Sequence, residues 1–134
     1  MIRKIAKSKS VSLWRDSYYH KLFALKVAKE AERVLPIFEK ENSKDKRPRL
    51  AIDAIRAWAQ GKRTLGMKEV RKLSLDSHTA AREAKSDAVR FAARAAGQAV
   101  ATWHVPTHAL GASAYAAKAM CASKHATSKT RKIS

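Results

Sequence analysis

A chain of 134 residues is one domain by length and is large enough to bury a core without disulfide or metal staples. Hydrophobic residues make up 46% and aromatics only 7%, so the core must be built from alanine, valine, leucine and isoleucine, and helix is favoured almost throughout. The formal charge of +18 draws nucleic acid, anionic membrane or an acidic protein without choosing among them. The single cysteine, Cys121, excludes an internal disulfide and any multi-cysteine zinc site, and it reads as a small, half-buried apolar residue late in a helix.

Residues 1–13 mix Lys and Ser with isolated aliphatics and show no period, which predicts a disordered basic arm. No apolar run approaches a membrane span, and the N-terminus lacks the apolar core of a signal peptide. The expectation is therefore a cytoplasmic protein without membrane insertion. From about Asp16 an amphipathic helix begins, with Ala24, Val27, Ala28, Ala31, Val34, Leu35 and Phe38 at helical spacing. Pro36 lies inside it and predicts a kink or a restart, because proline lacks the N–H and disfavours helix at the preceding residue.

Glu41 to Arg47 reads as a polar loop with Ser43 and Asp45 as capping candidates and Pro48 in the first turn of a second helix. That helix continues through Leu50, Ala51, Ala54, Ile55 and Trp58 and stops near Gly61. A third spans roughly Met67 to Lys85, with a more polar second line through Arg71, Leu75, His78 and Arg82. Ser86 and Asp87 can cap a fourth, which runs through Val89, Ala92, Ala93, Ala96 and Val100 to Trp103. A fifth starts around Pro106 and ends about Cys121, leaving 122–134 as a basic disordered tail. The predicted fold is all-α: a single-domain bundle of about five helices over 14–121, its last two helices joined by a tight turn at Pro106.

The stretch Gly97–Tyr115 gathers His104, Pro106, His108 and two glycines into an alanine-rich pattern. His104 and His108 have the separation that places two imidazoles on one helical face, but a helix opening at Pro106 would leave His104 in the turn before it. His78, His104 and His108 are thus weak candidates for a metal, and the prediction is no metal and no cofactor. Glycine and alanine there serve close helix packing, with Trp103 and Tyr115 filling the space alanines leave open. Ser77, Ser113 and Thr102 lack a nucleophile's context, and Asp53, Glu69, Asp76, Glu83 and Asp87 suit solvated helix charges, so the chain reads as non-enzymatic.

Several blocks resemble the immunity-five-like helical immunity proteins of bacterial polymorphic toxin systems. They are Arg33-Val-Leu-Pro-Ile-Phe-Glu39, Asp45-Lys-Arg-Pro-Arg-Leu-Ala-Ile52 with Arg56-Ala-Trp58, His78-Thr-Ala-Ala-Arg82, and Ala95 through His104-Val-Pro106 to Ala112. The resemblance covers roughly Trp14 to Met120 and implies an all-helical module that neutralises a cognate protein toxin by contact. The strong positive charge and the basic arms depart from the pattern and imply a toxin with an acidic surface, or one that is not a nuclease. Trp58, Arg71, His78, Arg82, His104 and His108 are the expected partner-binding residues. The alternative is a basic nucleic-acid-associated protein that binds DNA or RNA through its Lys/Arg-rich surface and arms.

Overall fold

The computed structural model describes residues 17–105 and 107–133, with side chains to residue 126. The predicted arm over 1–13 and the turn residue Pro106 lie outside the described residues. Five helices follow one another: α1 (Tyr18–Glu41), α2 (Arg47–Ala59), α3 (Met67–Arg82), α4 (Asp87–Ala101) and α5 (His108–Ile133). Among the described residues there is no strand, so the chain is a single all-α domain.

Local chemistry sets most of the boundaries. Ser17 caps α1 by accepting from the His20 N–H, and Ser86 caps α4 by accepting from Val89 N–H. Asp45 Oδ1 accepts from Arg47 N–H at 3.1 Å at the start of α2, where Pro48 occupies the first turn. At the other end of α2, Gly61 takes φ +74, and the N–H groups of Gly61 and Lys62 return to the carbonyls of Trp58 and Ala57. This pair of bonds satisfies the last carbonyls and needs a left-handed residue, which glycine supplies without a Cβ penalty.

Three expectations are corrected. α1 is neither broken nor restarted at Pro36: the proline sits on the exposed face while Val34, Leu35 and Phe38 bury on the other. The Glu32 carbonyl that loses its intrahelical donor therefore lies on the solvent side, and core packing holds the ladder through it. α5 does not end near Cys121 but continues to Ile133, because no glycine or proline follows Gly111 and the added Lys and Arg suit a helix C-terminus. Cys121 itself is exposed, not half-buried.

α4 is the central helix and packs against all four others. Its buried positions, Val89, Ala92, Ala93, Ala95, Ala96, Gly97, Ala99 and Val100, cover a little more than half of its circumference, with Arg90, Arg94 and Gln98 on the other side. A helix enclosed on that many sides needs small side chains so that its neighbours can approach. The larger volume comes from α1 and α2 through Val27, Leu35, Phe38, Ile52 and Ile55.

Cross-links show that chain neighbours run antiparallel. Arg49 pairs with Glu39 and Arg56 with Glu32 between α1 and α2, Ser74 Oγ donates to Gly97 O between α3 and α4, and Phe91 stacks on Tyr115 between α4 and α5. α1 and α5 are thereby parallel, with the Ser113 hydroxyl donating to the Glu30 carboxylate between them. The bundle consequently has two distinct ends. One holds the 42–46 and 83–86 connections and, with them, Glu39, Glu41, Asp45, Glu83 and Asp87, five of the eleven acidic residues. The other holds the start of α1, the 60–66 loop, the start of α3 and the 102–107 turn, where Glu69 is the acid among the described residues.

Candidate functional site

The second end gathers the unusual residues of the chain. His20, fully buried in α1, donates from Nε2 to the Thr102 carbonyl at 2.9 Å and meets the edge of Trp58 with ring centroids 4.9 Å apart. Thr102 in turn donates from its hydroxyl to Gln98 O at 3.2 Å. These bonds pin the α4–α5 turn to α1 and α2, and the turn then points its consecutive side chains to opposite sides. Trp103 faces a notch against α1 and α2, and His104 faces a cleft against α3.

The cleft encloses about 160 Å³ and is lined by Met67, Val70, Arg71, Ser74, Leu75, Ala101, His104 and His108. Beside it, α3 presents Arg71, Leu75, His78 and Arg82 along one stripe. Leu75 is 57% exposed, a large apolar side chain set among cations. His78 lies half-buried under this stripe and accepts at Nδ1 from Arg94 Nη1 at 2.8 Å. Its ring lies where a Cβ on Gly97 would fall, 2.7 Å from Nε2, so the glycine lets the imidazole sit against the α4 backbone. Burial pushes the His78 pKa down to about 4, with the charges of Arg94, Arg82 and His108 adding to it. The imidazole is therefore neutral at physiological pH and can accept the Arg94 bond.

His108 opens α5 and donates from Nδ1 to Gln98 Oε1 at 2.6 Å. Gln98 is also the side chain against which Gly111 packs. His104 is exposed in the turn, so the two histidines four apart do not share a helical face. Among the described residues, no group of His, Cys, Asp and Glu is arranged to hold a metal ion.

Of the six expected partner-binding residues, five fall on one surface: Arg71, His104 and His108 line the cleft, and His78 and Arg82 extend it along α3. Trp58 does not join them. It is 6% exposed, packed on His20 at the edge of the separate notch. Its helical spacing could not tell a core tryptophan from a surface one. Sequence reasoning missed Arg94 and Gln98, the α4 residues that orient the two histidines. A signal was present, because they are, with Arg90, the polar interruptions in an otherwise alanine-rich helix.

At the acid-rich end the charges are largely paired. Arg47 bridges Asp45 and Glu83, and Arg49 holds Glu39 by two bonds of 2.7 and 2.6 Å. These hydrogen bonds keep the Asp45 and Glu39 carboxyls below their usual range. No acid lines the cleft at the opposite end. Among the described residues, no helix is long and apolar enough to cross a membrane.

No curated protein and no solved structure matches the chain. A family model described as "Imm-5 like putative immunity protein" matches residues 17–133, nearly the whole sequence. The chain belongs to this Imm-5 like immunity protein family.

Proposed function

We propose that the protein neutralises a cognate protein toxin by non-catalytic contact, with the α3 stripe and the adjoining cleft as the docking face. Arg71, Leu75, His78, Arg82, His104 and His108 form this face. The observation that carries the reading is Leu75, exposed at 57% in the middle of a cationic stripe that runs into a preformed cleft. An exposed leucine with Arg71 one helical turn before it and Arg82 two turns after it offers a partner an apolar contact flanked by charges that set register and association rate. A field of +18 with no acid in the cleft favours a toxin whose contacting surface is acidic. A nucleic-acid-associated role has the net charge behind it, but the open aromatic side chains among the described residues, Tyr18, Tyr19 and Phe23, line neither the cleft nor the notch.

Growth protection tests this reading in cells. In cells expressing a candidate toxin domain taken from its gene neighbourhood, co-expression of the protein should restore growth, and Leu75→Glu with Arg71→Glu should abolish protection while leaving the protein folded by circular dichroism. Full protection by that folded double variant would place the interface elsewhere.

A further inference from the structure

On the other flank of the 102–104 turn lies a second recess that the docking face does not use. It encloses about 570 Å³ and is lined by Lys21, Trp58, Lys62, Arg63, Thr64 and Trp103, together with Gly61 and Leu65. We propose that this tryptophan-walled notch seats an acidic segment of a partner protein. The inference rests on the toxin-binding reading for the partner's identity, and it adds a second contact of defined chemistry.

The notch has three cations and no lining acid. Arg63 pairs with Glu69, and Lys21 and Lys62 carry no such partner among the ion pairs of the described residues. Lys21 Nζ sits 5.4 Å from the Trp58 ring centroid, so one wall of the recess already holds a positive charge over an aromatic face. The positions of Lys62 and Arg63 are fixed by the Gly61 turn, whose two backbone bonds close the end of α2. That closure also satisfies the α2 carbonyls, which would otherwise point negative charge into the recess. The volume falls within the range that encloses a small ligand or a few side chains.

The same groups argue against a nucleic-acid strand. Sequence-tolerant strand binding stacks bases on open aromatic faces. Trp58 and Trp103 are 6% and 8% exposed, and Trp58 is already covered by His20 and Lys21. The recess therefore offers cations and walls, but no stacking platform.

The test is fluorescence anisotropy of the full chain with a labelled decapeptide of alternating Asp and Glu. Three proteins are compared: wild type, Lys21→Ala/Lys62→Ala, and Lys44→Ala/Lys85→Ala, which removes the same charge at the acid-rich end. The wild type should bind, the notch variant should bind at least tenfold more weakly, and the control should stay within twofold. Lys62→Glu should reproduce the loss should the double variant fold poorly, and Lys62→Arg should restore binding. No binding by the wild type, or equal weakening by both double variants, overturns the proposal. So does a ten-residue dT strand that competes fully with the peptide and is lost with the same substitutions. The peptide assay needs no toxin, so its failure and the failure of growth protection by wild type are read independently.

Discussion

Gly97→Ala tests the closest contact around His78. A Cβ at this position would fall 2.7, 2.9 and 3.0 Å from three atoms of the His78 ring, and the Arg94 bond to Nδ1 opposes movement of the ring away from it. Overpacking of this kind costs about 1–3 kcal/mol. Replacing a helical glycine by alanine returns up to about 1 kcal/mol of propensity. The net expectation in the wild type is a destabilisation of about 1 kcal/mol. In a His78→Ala background the clash disappears, and the same substitution should stabilise by about 0.5–1 kcal/mol through propensity alone. The two effects of Gly97→Ala should therefore differ by about 2 kcal/mol, a coupling read from urea denaturation of the four proteins by far-UV circular dichroism. A Gly97→Ala effect equal in the two backgrounds would refute the packing of His78 against the α4 backbone.

Three further outcomes follow from the same geometry. His78 has its pKa lowered from 6.5 to about 4, so only well above pH 6.5 does it add no pH dependence, and as pH falls the unfolded chain takes up the proton first. Stability should drop by roughly 2 kcal/mol between pH 6.5 and 4, and denaturation midpoints of His78→Gln should lack this component. His20→Phe keeps the packing on Trp58 but removes the donor to the buried Thr102 carbonyl, so it should cost about 1–3 kcal/mol in thermal or chemical unfolding. Leu75→Glu, on an exposed position, should change stability by no more than about 0.5 kcal/mol, which a melting curve checks directly.

How much of this was legible before the fold was known varies with what each residue needed from its neighbours. The core faces of α1, α2 and α4 were readable because apolar spacing and burial share one period, and Ser86 and Gly61 mark helix ends for local reasons. Pro36 misled because its cost depends on which face it occupies, and only packing reveals that the lost bond lies toward solvent. The true end of α5 was hidden because polar, basic sequence without period suits both a loose tail and a helix lacking a stop signal. At the candidate site, the α3 stripe was visible as a second helical line through Arg71, Leu75, His78 and Arg82. Its connection to His104 and His108 was not, because that requires α3 and α4 to be antiparallel and the turn to be pinned by His20. The notch was equally hidden, because only the fold brings Lys21, Lys62, Arg63 and Trp103 to the same place.

The most direct test of the proposed function is a calorimetric titration of the purified protein with a candidate toxin domain, should its gene neighbours encode one. The wild type should form a complex of one to one stoichiometry. Arg71→Glu/Leu75→Glu should weaken it at least about 100-fold, as loss of a central anchor with charge reversal does. No heat of binding from the wild type, or unchanged affinity in the folded double variant, would contradict it.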